Sequence, residues 1–228
     1  MPNKYVQVEG IATFLHHRGP TTLPGHPPGT RQGRTLVALH DAGDNGAVFG
    51  AFLDAAAADH SPLAFDQPGH ARSGLLDSLG SVSRLADFAG ALMDKLGIGP
   101  SVLVGQGLGA AIAVELAVAR PERVAGLVLS GVAQWSVDPG RLDQLRRVTE
   151  GKARREFDSS GYAPETGRDV YRRAFGEWMK TDPRALLGDL QALDGWDPGR
   201  VDEVEAPTCV LAGEAEPDHG VEAAERVA

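Results

Sequence analysis

Three glycines at alternating positions, Gly105, Gly107 and Gly109, stand between the apolar run Val102-Leu-Val104 and a second apolar stretch, Leu108–Ala119. The pattern predicts a strand that turns directly into a helix. Gly107 itself offers no hydroxyl, thiol or carboxylate. A dinucleotide-binding fingerprint has the same strand–glycine–helix order, but it belongs on the first strand of a chain, and its third glycine would fall at Ala110. Cys209 is the single cysteine and lies in the apolar run Pro207–Ala212, so it reads as a small buried hydrophobe. One cysteine excludes an internal disulfide and most zinc frameworks, and no metal or other cofactor is expected.

The elements that must position these residues follow from hydrophobic pattern. Lys4–Glu9 and Ile11–His16 read as a hairpin turning near Gly10. A polar Pro/Gly loop, Gly19 to Gly33, follows, and Thr35–Leu39 is a short continuous apolar run of the kind found in strands buried on both faces. Helical stretches at Ala47–Ala58, Val82–Leu96 and Leu108–Ala119 then alternate with strands at Leu63–Phe65, Val102–Val104 and Val124–Leu129. Helices between apolar strands imply an α/β fold with a doubly wound, mostly parallel sheet. The rhythm breaks from Ala133 to Arg200, which is charged and mostly helical, with Tyr171, Phe175 and Trp178 at helical spacing. Three parts are expected: a core over 1–132, a helical cap over 133–200, and a second core part over 201–228. The three cap aromatics should pack the cap onto the sheet or wall a pocket, with Trp135 and Trp196 at the hinge.

Four segments, in order, resemble the α/β-hydrolase family: Leu39-His-Asp-Ala-Gly-Asp-Asn-Gly46, Phe65-Asp-Gln-Pro-Gly-His-Ala-Arg-Ser-Gly74, Val104-Gly-Gln-Gly-Leu-Gly-Ala110, and Pro207 to Gly220. The third has the frame of the nucleophile elbow, G-x-S-x-G, with Gly107 at the serine position. The resemblance implies that the backbone amides of Ala42 and Leu108 form an oxyanion hole. It implies a pocket bordered by His40, Asp41, Gln106 and Trp178, and an acid at Glu216, with Asp218 as its competitor. His40 and His70 then fix loops, and His219 is too close along the chain to the acid to serve as the base. The family's glycine after the loop histidine is Asp41 here, whose charge would oppose an anion if the side chain points inward. On the family pattern a last strand, the catalytic histidine and a final helix fall beyond Ala228.

The resemblance therefore implies ancestry in small-molecule ester or lactone hydrolysis with no serine-hydrolase activity in this form. The alternatives are a lyase or cyclase that uses only the oxyanion hole, and a pseudoenzyme that binds a small apolar or ester-like molecule. Acidic residues number 31 against 22 basic, a net charge of −9, which disfavours binding to nucleic acid or anionic membrane, since both need a positive patch and the arginines do not cluster enough to supply one. No apolar run reaches the length of a membrane span, and the N-terminal residues lack a secretory pattern, so a cytoplasmic location is expected. The strand at Pro207–Ala212 should form a sheet edge through which the chain self-associates.

Overall fold

The computed structural model describes residues 5–18, 32–157, 159, 162–213 and 220–227. The chain opens with a hairpin, β1 (Tyr5–Val8) and β2 (Ile11–His17), joined by the two-residue turn Glu9-Gly10, both at positive φ as a tight hairpin turn requires. Next come β3 (Thr35–Leu39), α1 (Gly50–Ala56), β4 (Ser61–Phe65), α2 (Val82–Lys95), β5 (Ser101–Gln106), α3 (Leu108–Ala119) and β6 (Val124–Ser130). The helix expected over 47–58 is split: a 3-10 turn, Gly46–Phe49, precedes α1, because the Asn45 side chain caps the Ala47 amide and tightens the first turn.

The seven strands lie in the order β1-β2-β4-β3-β5-β6-β7, where β7 is Thr208–Leu211. From β4 to β7 every neighbouring pair is parallel, while the β1–β2 and β2–β4 pairs are antiparallel. Val37, Ala38, Leu39, Leu103 and Leu129 are fully enclosed, as strands covered on both faces must be. Helix α3 is buried nearly all round and packs against β5, β3 and α2, so its sequence carries almost no polar stripe. By contrast α2, capped by Ser81 on the Arg84 amide, buries one face and exposes the other.

Between β6 and β7 the chain leaves the sheet for α4 (Pro139–Thr149), α5 (Arg168–Trp178) and α6 (Pro183–Asp194), followed by a 3-10 helix at Pro198–Glu203. A last helix, α7 (Gly220–Val227), follows β7. Asp138, Asp182 and Asp197 each precede a proline and cap the helix that it opens. Leu142, Leu145, Leu186 and Leu190 form a small core between α4 and α6.

Two expectations change here. Cys209 is exposed, because β7 is the outer strand of the described sheet and, of its side chains, Val210 is the one packed against the core. The aromatics of α5 do not pack on the sheet: no α5 side chain is buried, and Phe175 is 47% exposed. Tyr171, Phe175 and Trp178 instead join Phe157 and Tyr162 in a cluster within the inserted segment. Glu216, Asp218, His219 and His26 lie outside the described residues.

Candidate active site at the strand-to-helix elbow

The sheet's winding reverses between β3 and β5: the connection from β3 leads to β4 on one side, and the next leads back across to β5 on the other. At such a point the loops leaving the two strands diverge and open a crevice at their carboxyl ends. The residues that leave there are His40-Asp41-Ala42 after β3 and Gly107-Leu108 after β5, with Leu39 paired to Gly105.

Gly107 sits at the tip of the turn with φ 53° and ψ −115°, a conformation costly for a residue with a Cβ. Its two companions are required by close approach. A Cβ on Gly105 would lie 2.5 Å from the Ala110 Cα, and one on Gly109 would lie 2.0 Å from the Leu39 carbonyl oxygen. The glycines therefore let α3 descend onto β5 and β3, which is the backbone form of a nucleophile elbow. The Gly107 amide donates to the Ser130 carbonyl, and the Trp135 indole N–H donates to the Gly107 carbonyl at 3.0 Å. Trp135 packs edge-on against Trp196, whose indole N–H donates to Glu115 on α3. Nothing in the local pattern around Trp135 marks it as a partner of the elbow; the distance along the chain, 28 residues, hides it.

The loop after β3 is held from several directions. His40 is completely buried; its Nε2 accepts from the Gln67 amide at 2.9 Å, and its Nδ1–H donates to the Asp41 carbonyl at 2.8 Å. Burial, with the neighbouring His70 charge, lowers its pKa to about 3, so this imidazole is neutral and fixes the loop. Asp66 joins the same loops: its Oδ1 takes the Gly46 amide and the His16 ring, and its Oδ2 takes the Arg72 amide. Burial pushes the Asp66 carboxyl up, but the His16 bond and charge outweigh this and hold it below the ordinary range. Among the early-hairpin histidines, His16 thus has a role the linear pattern does not suggest.

His70 and Asp189 form an ion pair, Nε2 to Oδ2 at 3.0 Å, with both side chains at 0% exposure. Desolvation lowers the His70 pKa, yet the Asp189 charge outweighs it and raises the value. Asp189 lies on α6, so this pair fastens the inserted helices to the loop after β4. Leu186 on the same helix covers Gly43, and the Asn45 amide donates to Glu177 on α5 at 3.2 Å. The sequence reading missed Asp189, since a carboxylate in an amphipathic helix carries no sign of the side it faces.

Asp41 points inward. The Leu108 amide donates to its Oδ1 at 2.8 Å. One of the two amides that the family pattern assigns to the oxyanion hole is therefore taken by a side chain of this chain. The loop needs no left-handed backbone at Asp41; the positive φ falls at Gly43. Burial pushes the Asp41 carboxyl above the usual range against the pull of the Leu108 amide and of Arg141. Asp44 stands close enough to feel it: burial, then the Asp41 charge, raise its pKa to about 7, with His70 opposing.

The remaining expected pocket residues are placed as follows. Gln106 ends β5 opposite Ser130. Trp178 belongs to the aromatic cluster, with the Arg155 guanidinium over its ring at 3.8 Å, and its neighbour Glu177 accepts from Asn45 of the loop. A cavity of about 380 Å³ lies beside that cluster, lined by Leu75, Leu76, Arg155, Met179 and Lys180 among others. Neither Gly107 nor Asp41 lines it, so the crevice at the strand ends is a separate place. Among the described residues no helix is long and apolar enough to cross a membrane.

Known proteins fit this geometry. Over 113 residues the chain is 34% identical to the lipase LipV of Mycobacterium tuberculosis, covering 48% of this chain and 37% of the lipase. Over 206 residues it is 24% identical to (E)-2-((N-methylformamido)methylene)succinate hydrolase of Acinetobacter baylyi, covering 84% of this chain and 76% of that enzyme. It superposes on a serine-to-glycine mutant of the N-acyl homoserine lactonase AidH, complexed with N-hexanoyl homoserine lactone, with a TM-score of 0.70 at 22% identity; the match covers all of this chain and 84% of the other. The model of the alpha/beta hydrolase family matches residues 36–228, and with the parallel sheet and its elbow this means that the chain belongs to the α/β-hydrolase family.

Proposed function

We propose that this chain is a small-molecule-binding member of the family, descended from ester or lactone hydrolases, that forms no acyl-enzyme. The carrying observation is the elbow: its backbone is complete, and the residue at its tip, Gly107, has no side chain to attack with. The engagement of Leu108 by Asp41 adds support, because an acyl-transfer intermediate needs that amide free. The histidines of the described loops do not substitute, since the ring of His40 is hydrogen-bonded at both nitrogens and His70 is paired with Asp189. The ligand on this reading is a small apolar or ester-like molecule, and the lactonase mutant complexed with a lactone is a precedent for such a molecule alongside a serine-to-glycine change. A lyase or cyclase working through the oxyanion hole would have to displace Asp41 first, which weighs against it.

The test is covalent labelling. Incubation with a fluorophosphonate probe, followed by intact-mass spectrometry, should give no adduct, and activated aryl esters should turn over no faster than in buffer. Stoichiometric labelling would overturn the proposal and show a nucleophile elsewhere in the chain.

A further inference from the structure

Three places in the fold bear chemistry whose consequences reach beyond the elbow itself: the cavity beside Trp178, the His70–Asp189 pair, and the carboxyl group of Asp41. The cavity is open, and nothing selects its occupant; the pair is already explained as a fastening between α6 and a loop. Asp41 is different, because its position is that of a ligand.

We infer that Asp41 is the specificity-determining residue of the crevice: its carboxyl group occupies the Leu108 amide at the start of α3, so the site refuses organic carboxylates and phosphonates and admits uncharged ligands. The inference deepens the proposed function and rests on its reading of the crevice as a small-molecule site.

The argument is one of occupancy and charge. A helix N-terminus presents unpaired amides that favour a negative group, and α3 begins at Leu108. Here the negative group is built in, at 2.8 Å from the Leu108 nitrogen. An incoming anion finds the Leu108 amide taken and would have to desolvate beside the Asp41 carboxyl and, further back, Asp189, whose field reaches Asp41. Arg141 and His70 offset part of this charge, but His70 is already paired. An ester or lactone carbonyl brings no charge, and an amide–carboxylate hydrogen bond already made costs it nothing. The strap also explains why an aspartate is accommodated where the family has glycine: the side chain replaces an external anion as the partner of the Leu108 amide.

The experiment compares the native chain with Asp41→Ala and Asp41→Asn, using benzylphosphonate as the anionic probe and methyl benzoate as the neutral one, read by amide proton and nitrogen shifts. Without ligand, Asp41→Ala should move the Leu108 amide upfield in the proton dimension, as a lost hydrogen bond requires. Benzylphosphonate should leave the Leu108 amide of the native chain unmoved. In Asp41→Ala it should shift that amide and bind about tenfold or more tightly than to the native chain, as a charge-assisted bond to the freed amide allows. Asp41→Asn keeps an acceptor oxygen at the same place but loses the charge, so its Leu108 amide should stay bonded and the phosphonate should bind it more weakly than it binds Asp41→Ala; if the alanine variant fails to fold, Asp41→Gly carries the test in its place, with the same phosphonate gain expected. Equal phosphonate binding by native chain and Asp41→Ala, an unmoved Leu108 amide in Asp41→Ala, or full phosphonate binding by Asp41→Asn would each overturn the inference. Fluorophosphonate labelling of the native chain would sink the proposed function instead, without altering these amide shifts.

Discussion

At the scale of single residues, the elbow is a strand-to-helix turn whose tip, Gly107, carries no side chain. Gly107 keeps a conformation that costs a residue with a Cβ on the order of 1–3 kcal/mol. Gly107→Ser should therefore lower the unfolding free energy by about that amount, measured by urea denaturation, and should restore no esterase activity while Asp41 holds the Leu108 amide. A change near zero would mean that the turn relaxes around the new side chain. Asp44 gives a second residue-scale expectation. Its folded pKa, about 7, lies above the ordinary carboxyl value of about 3.9, so between those values the folded chain keeps a proton that the unfolded chain has released. Stability contributed through this group is thus lost as pH rises through that window, up to about 4 kcal/mol. Asp44→Asn should gain on the native chain as pH rises from 4 to 8, and a pH-independent difference would count against the coupling.

At the scale of elements, two junctions decide behaviour. Helix α6 is held to the loop after β4 by the buried His70–Asp189 pair and by Leu186 against Gly43. Removing one partner of a buried pair leaves the other uncompensated, so Asp189→Ala should destabilise by about 3–5 kcal/mol. Because the His70 pKa is raised in the folded state, the pair's contribution is whole below about pH 6.5 and declines as pH rises through the raised value. The loss caused by Asp189→Ala, followed by thermal melts, should accordingly shrink at high pH. The other junction is β7, which pairs only with β6 among the described residues and exposes Thr208, Cys209 and Leu211, the last at 52%. An edge with unpaired backbone groups and apolar side chains invites a second chain. Light scattering should show self-association, and the Cys209 thiol should react with iodoacetamide in the native state, faster in dilute than in concentrated protein. A concentration-independent monomer would remove the edge from consideration.

At the scale of the whole molecule, the sequence by itself determined the layered α/β architecture. Its apolar runs of four to seven residues separated by helical stretches admit few other arrangements, and the alternating glycines mark the strand-to-helix turn with its tip at Gly107. The hairpin and the helices between β6 and β7 were also legible, because each depends on neighbours in the chain. What only the tertiary structure decided is which distant groups meet. Trp135 bonds the elbow from 28 residues away, Asp189 reaches His70 from another layer, and His16 joins Asp66 across β2 and β4. The exposure of Cys209 was misread for the same reason: an apolar strand reads alike at the centre and at the edge of a sheet, and its coverage is fixed by what packs beside it. Periodicity records which face of an element is apolar, but the partner that face or a buried charge finds is set by the winding of the sheet. Here that winding brings the ends of β3 and β5 side by side and sets the carboxyl group of Asp41 on the amide of Leu108.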